Sequence, residues 1–544
     1  MKKLLAGLLA LVLVFSCAAC KASTSAAQTS ASASQAASAP AASASASASA
    51  SASASSGEDM TIELYDQQYS EMTGDETILK HINDTYGVNV KFIGENPSSD
   101  ELQQQYVMSI TAGDIPDIMY SFGDTTFEYY NKFVDQGVLA EVPVADIQSY
   151  APNYYDWVVK NGGDNIWKTF ERNGKNYSLP CYWTLGTSMY VLGYRSDIFA
   201  AAGYDELPTT LDGLEQAMLA VHDKTGIAPL SAAASSKKLD GLSFVYGAFG
   251  VCPTIFHQDE NGDIVFGGIT EGARQAVEVL HRWYEEGLID VEFPVNKQEN
   301  VVEKWTNGTA ALVTDCWWEF LPEEAFFSAS YYNALANDPT AQAAIKTSAA
   351  PTGPSGQSGF QQRNPAYDSG MLFGKQMEGS EKLKKLLQII NDMDFTQEGL
   401  DYCNYGEKGV TYDLGSDGSV VWKEPYTSEE ERAKYGCDGR FSVFVDAFND
   451  YDLQAKYMTA PQYMSLRQET QAKGTGLYDP LVLTYRPVYN QYAETLDQIN
   501  LSAQIDFITG ARPLSEWDDF VAEWMAAGGD AVMEEAKTNW AAIS

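Results

Sequence analysis

The sequence predicts an α/β fold, and three observations carry that expectation. Between residues 60 and 120, short apolar runs of strand length alternate with stretches of helical periodicity. Ala310-Ala311-Leu312-Val313 is an unbroken apolar run, the pattern of a strand buried on both faces. Apolar stripes at helical spacing recur between such runs, as in Leu211, Leu214, Met218 and Val221. Strand and helix in alternation imply parallel pairing with right-handed crossovers.

The chain opens on Met1-Lys2-Lys3 followed by an almost wholly apolar stretch from Leu4 to Phe15. A short basic segment before about a dozen apolar residues reads as a secretion signal, too short for a mature membrane span. It ends Ser16-Cys17-Ala18-Ala19-Cys20, which resembles a bacterial lipobox with Cys20 as the lipidated residue, although Cys17 stands where Leu is usual. Cleavage before Cys17 and a plain secretory signal are the alternatives. The resemblance implies residues 1–20 as signal peptide and a lipid anchor at the extracellular face of the cell membrane. Residues 21–58 are nearly all Ser, Ala, Gln and Thr, and such a segment cannot offset its own ordering entropy. It reads as a flexible tether.

Beyond the tether the length allows two to four domains. The whole chain carries 35 Lys and Arg against 74 Asp and Glu, a net charge of −39. Such a surface argues against nucleic acid and suits a neutral ligand. Cys181, Cys252, Cys316, Cys403 and Cys437 are scattered, with no metal-ligand spacing, and are expected mostly as buried free thiols.

The folded region starts with a strand at 60–65, a helix at 76–86 and a strand at 88–93. Ser98 and Glu101 have capping-box spacing, Leu102, Tyr106 and Ile110 share a face, and Gly113 stops that helix. A strand follows at 115–120. Further on, Thr209 and Asp212 have capping-box spacing. Ala273, Ala276, Val277, Leu280, Trp283 and Tyr284 form a stripe closed by Gly287, which makes Trp283 a core residue. Asp417-Gly418 signals a hairpin.

Gly113-Asp114-Ile115-Pro116-Asp117-Ile118 resembles the GxxPD segment of bacterial solute-binding proteins of family 1, the extracellular lipoproteins of sugar ABC importers. Further segments resemble that family in its own order: 189–197 (MYVLGYRSD), 207–211 (LPTTL), the end of the 268–293 stretch, 307–311 (NGTAA), 350–356 (APTGPSG), 405–410 (YGEKGV) and 507–510 (FITG). The resemblance covers nearly all of residues 60–544. It implies a two-lobed, type II periplasmic-binding-protein-like fold with discontinuous lobes, a hinge and a central ligand cleft. The lobes would be 59–188 with 349–405, and 189–348 with 406–544. It also implies a carbohydrate ligand captured by lobe closure, delivery to the transmembrane subunits of an ABC permease, a monomer, and no cofactor, metal or catalysis.

Candidate ligand residues follow. The resemblance places Tyr120, Ser121, Phe122 and Asp124 at the cleft, Trp183 in a loop facing it, and Arg195 with Asp197 at the hinge. Residues 306–320 (TNGTAALVTDCWWEF) run from a buried strand directly into Asp315, Trp317, Trp318 and Glu319. Aromatic faces beside hydrogen-bonding acids at the carboxyl end of a strand suit a sugar ring; packing of both indoles in the core is the other reading. Tyr246 fits either sugar stacking or loop packing. Arg363 and Tyr367, in a polar loop, can meet sugar hydroxyls.

Rival chemistry has less in the sequence. Asp259-Glu260-Asn261-Gly262-Asp263 puts Gly at the wrong position for a calcium-binding EF-hand loop and reads as an acidic turn. GxSxG, HExxH and phosphate-loop motifs are missing, and His81, His222, His257 and His281 have no ligand spacing. A secreted carbohydrate-active enzyme using paired carboxylates, or a surface adhesin or sensor, remain the alternatives.

Overall fold

The strands and helices arise where local signals put them. The computed structural model describes residues 59–64, 72–92, 99–122, 126–163, 166–180, 189–234, 239–326, 329–364, 369–416, 418–441, 457 and 459–544. Residues 1–58, with Cys17, Cys20 and the expected signal peptide and tether, lie outside them, as does Cys181. Residues 58–544 form one compact unit.

The strands, in chain order, are β1 (Thr61–Leu64), β2 (Asn89–Phe92), β3 (Ile118–Phe122), β4 (Ser178–Pro180), β5 (Tyr190–Arg195), β6 (Phe256–Gln258) and β7 (Ile264–Phe266). There follow β8 (Leu312–Cys316), β9 (Ile345–Ser348), β10 (Phe360–Gln361), β11 (Ser369–Phe373), β12 (Tyr412–Leu414), β13 (Val420–Trp422) and β14 (Gly476–Leu477). The helix Thr77–Tyr86 joins β1 to β2, and Gly87 at φ 68° ends it by donating to the Asn83 carbonyl. The helix Ser99–Ala112 precedes β3 and stops at Gly113, φ 81°. The helix Leu211–Thr225 is capped one residue later than its spacing suggests: the Thr210 hydroxyl, not that of Thr209, accepts from Gly213 N at 3.2 Å. In the helix Glu271–Glu285 the stripe Ala273, Ala276, Val277, Leu280 and Trp283 is buried as the periodicity requires, and Gly287 takes φ 72°. The hairpin β12–β13 pairs Tyr412 with Trp422 around Gly418.

Pairing is parallel between β1 and β2, as the alternation predicts, but β3 joins neither of them. β3 pairs antiparallel with β11, Ile118 opposite Phe373, and β11 pairs antiparallel with β4. The partner of β3 therefore arrives some 250 residues later in the chain, and no local pattern at 60–120 encodes its direction. A second three-stranded sheet has the order β8-β5-β9, both ladders antiparallel. Leu230 adds parallel bridges to Leu312 and Ile289 at its edge.

Three apolar cores hold these elements. The first gathers Ile62, Ile82, Ile118, Leu179, Met371, Phe373 and Leu386 around the β3-β11-β4 sheet. The second and third lie on opposite faces of the β8-β5-β9 sheet. Leu192, Tyr194 and Leu312 enter the second, with Leu214, Leu280, Phe507 and Trp524, while Met189, Val191 and Val313 enter the third, with Val301, Trp305 and Tyr331. Gly193 is needed in β5 because the Phe320 ring packs where a Cβ would stand, 2.0 Å away. Core membership departs from the expected lobes at several places. Ala350 and Phe360, expected with the first lobe, pack in the second core; Cys437, Phe441 and Leu483, expected with the second lobe, pack in the first. Apolar residues of equal character fit either core, and only the path of the chain assigns them.

Among the described cysteines, Cys252, Cys403 and Cys437 are buried free thiols and Cys316 is a partly covered one. No helix among the described residues is long and apolar enough to cross a membrane.

Asp117 ties the first half together. It is 5% exposed and accepts from the β1 amide of Glu63 (3.0 Å), the Gln376 side chain (3.0 Å) and Lys382 Nζ (2.7 Å). Asp117→Ala strands a covered ammonium and a strand amide together. Urea unfolding should register a loss of about 3–5 kcal/mol, with the midpoint moving and the slope unchanged.

Candidate functional site

β8 is covered on both faces, so its polar groups can emerge only at its end. There Asp315 and Cys316 lie opposite Val191 and Tyr190 of β5. Asp315 accepts from Cys316 N at 2.7 Å and from the Gln298 amide of the helix Gln298–Thr306. The Tyr331 hydroxyl accepts from the same amide at 2.8 Å and hydrogen-bonds Asp315. Burial pushes the Asp315 carboxyl up to about 7, and the negative charge of Glu319 adds to the rise. Yet Asp315 keeps partial solvent access.

On the other face of the sheet, the Tyr190 ring packs against both cores of this half. Burial holds its hydroxyl in the neutral form far above the usual phenol range. Asp240, Cys316 and Asp315 reinforce that, and Arg363 opposes it. Asp315 and Glu319, which the sequence singles out, thus influence each other on one face, joined by Gln298 and Tyr331, while Arg363 and Asp240 act on Tyr190 on the other. The sequence signals of the added residues are faint: Tyr190 reads as an ordinary strand residue, and Gln298 as the start of a polar helix.

The other expectations fare differently. Trp317 is fully buried and Trp318 is 6% exposed. The chain reverses after Cys316 in a 3-10 turn, Trp317–Phe320, and the turn swings both indoles into the third core. There they meet edge to face at 5.3 Å, pack on Phe326, and Trp317 carries the Arg467 guanidinium 5.4 Å above its ring. The expectation that they face a ligand is corrected: they are core. Tyr246 is corrected likewise. It is fully buried on the short helix Ser243–Gly247, and its hydroxyl donates to Gln504 at 2.8 Å. Glu319 accepts from Trp318 Nε1 at 2.8 Å and Ser330 N at 2.7 Å, so it braces the turn. Tyr120 lies on β3 opposite Met371, with Ser121 and Phe122 beside it. Asp124, Trp183 and Tyr367 lie outside the described residues. Arg195 grips Asp197 with a two-pronged bond, 2.9 and 2.7 Å, at the end of β5.

A catalytic or metal-binding alternative finds little geometry. Each histidine makes a local contact away from this cluster: His81 with Thr85, His222 with Ile227 O, His257 with Gln258 O and His281 with Ile508 O. The acidic turn at the tip of β6–β7 is closed by Asp259, which accepts from the amides of Asn261 and Asp263, both at 2.9 Å. Among the described residues no group of three acids, His or Cys is placed to hold a metal. What the cluster at Asp315 offers is a set of donors and acceptors suited to hydroxyl groups.

Two outcomes follow from this geometry. Trp317→Ala should lose about 3–5 kcal/mol of folding stability, as removal of a large buried aromatic does, read by denaturant unfolding. A carboxyl whose pKa is raised on folding contributes most below its unfolded value and loses that contribution as pH climbs to its folded one. Stability should therefore fall between the ordinary 3.8 and about 7 because of Asp315. Asp315→Asn should flatten that part of a melting-temperature against pH curve.

Comparison with known proteins places this geometry in a lineage. Residues 77–373, more than half of the chain, match the family described as bacterial extracellular solute-binding protein. Lipoprotein LipO of Bacillus subtilis is 22% identical over 469 residues, 81% of this chain and 86% of LipO. An HMO-binding, ABC-transporter-associated solute-binding protein from Bifidobacterium longum infantis superposes with TM-score 0.65 at 13% identity, over 88% of this chain and 98% of that one. The S. pneumoniae ABC-transporter substrate-binding protein FusA, in complex with kestose, does so with TM-score 0.61 at 16% identity, over the same shares. At such identities the superpositions speak for the fold: mixed α/β and two-lobed. With over half its length matched to that family, this chain is a member of the bacterial extracellular solute-binding proteins.

Proposed function

We propose that the chain is the lipid-anchored substrate-binding component of an ABC importer and that it captures an oligosaccharide. The observation that carries this reading is the set of polar groups around the end of β8: Asp315, Gln298, Tyr190 and Arg363, each with some solvent access, backed by the buried Tyr331. Carboxyl, amide, phenol and guanidinium groups together match the alternating donors and acceptors of a sugar's hydroxyl rim. Family membership supports the binding role. Two structural relatives, one described as HMO-binding and one in complex with kestose, support a sugar chain as ligand. The lipobox-like Cys20 and the relative named a lipoprotein support the anchor.

In this reading the halves built on the first core and on the second and third cores close on the ligand. Closure is favoured only by contacts that differ between open and closed states. Asp124, Trp183 and Tyr367 remain candidates for the first half's share, with Tyr120 beside them. The closed form would then present a surface to the permease, where ATP is used elsewhere in the assembly.

The test is a thermal-shift screen of the full chain against kestose, longer fructans, milk-type oligosaccharides and N-glycan fragments. A ligand at one hundred times its dissociation constant should stabilise by about 2.7 kcal/mol. Arg363→Ala should weaken the responding sugar about tenfold while leaving the unliganded melting temperature nearly in place. Silence across the panel would defeat the sugar reading. Appearance of cleavage products on prolonged incubation would favour a carbohydrate-active enzyme instead.

A further inference from the structure

Gln362 holds together three chain segments that are remote in sequence. It is 4% exposed. Its Oε1 accepts from Met189 N and from Tyr190 N, both at 2.9 Å, and its Nε2 donates to Tyr190 O at 3.1 Å. Its own amide donates to Leu477 O at 2.7 Å, continuing the parallel β10–β14 ladder. Each of these segments adjoins a passage of the chain between cores. Leu179 lies in the first core and Met189 in the third; Phe360 lies in the second and Met371 in the first; Leu481 lies in the second and Leu483 in the first.

The reason for an amide here is visible in the strand. β9 runs beside β5 only from Leu192 to Arg195. Among the described residues no strand pairs with that edge at Met189 and Tyr190, and the Gln362 side chain supplies the acceptor and donor that a strand would. The preceding residue does the matching task on the other side. Gln361 Nε2 donates to Asp240 Oδ1 at 3.2 Å and to Thr254 Oγ1 at 2.7 Å, and its Oε1 accepts from Thr254 N at 3.2 Å. Asn364 Nδ2 then reaches Asp479 O at 3.1 Å. Consecutive amides on one short segment thus hold Tyr190 and Asp240, and Arg363 between them and Asn364 enters the same electrostatic neighbourhood.

We propose that Gln362 is a positioning residue for ligand capture: it stands in for a missing strand, fixes the start of β5 to the other two crossings, and so sets where Tyr190 is presented. The inference deepens the binding role proposed above and rests on it for the ligand arm alone. Loss of the Gln362 amide would let the first residues of β5 fray while the rest of the strand, held by β8 and β9, stays closed.

The experiment compares Gln362→Met and Gln362→Glu with the parent in the full chain, by residue-resolved amide hydrogen exchange and by titration with kestose. In Gln362→Met the Met189 and Tyr190 amides should exchange at least tenfold faster, with Leu192 and Tyr194 unchanged, and kestose affinity should drop fivefold or more. Gln362→Glu keeps the two acceptor contacts but sets a second carboxyl oxygen against Tyr190 O, so exchange at Met189 and Tyr190 should fall between the parent and Gln362→Met. Parent-like exchange in Gln362→Met, or acceleration spread evenly along β5, would overturn the positioning role. Accelerated exchange with kestose affinity unchanged would leave Gln362 a structural tie and overturn its role in ligand capture. Where the parent ignores kestose, the sugar that responds in the thermal-shift screen replaces it, and silence across that screen counts against the sugar reading.

Discussion

A strand packed on both faces can show polar groups only where it ends. β5 and β8 are such strands: alternate residues enter the second and third cores, and Gly193 is bare so that Phe320 can lie against the backbone. Every polar feature of the candidate site follows from that constraint. Asp315 emerges at the last turn of β8, Tyr190 opposite Cys316 at the first residue of β5, and Gln298 from the helix that leads into the strand. The apolar packing of the sheet therefore also decides which side chains are free to meet a solute.

The same constraint explains the fate of the paired tryptophans. A chain leaving a doubly covered sheet must turn back over one of the two cores. The 3-10 turn takes it over the third core, and two indoles are the side chains with most apolar area to bury there. Glu319 and the Arg467 guanidinium then act on the turn and the ring stack. The binding reading consequently rests on family membership and on the polar group at Asp315, with the indoles as its support from beneath.

Much of the fold was legible beforehand. The helix stripes at 211–225 and 271–285, the glycine stops at Gly113 and Gly287, and the hairpin at Gly418 all follow from local periodicity and turn chemistry. Partner choice was not. The direction of β3 depends on β11, and the assignment of Phe360, Cys437 and Phe441 to one core or another depends on where the chain crosses. Of the site, Asp315, Glu319 and Arg363 were legible as polar residues after a buried run or in a polar loop. Tyr190, Gln298, Tyr331 and Gln362 were not, because nothing in their own neighbourhoods distinguishes them.

By itself the sequence determined the elements, the apolar character of β8, the acids that end it and the family to which the chain is akin, since each is written in residues a few positions apart. Only the tertiary structure decided which aromatic rings are sealed, which strands run antiparallel and which amide closes the open edge of β5. Those outcomes turn on contacts between segments separated by more than a hundred residues, and a side chain's exposure is a property of whatever arrives to cover it.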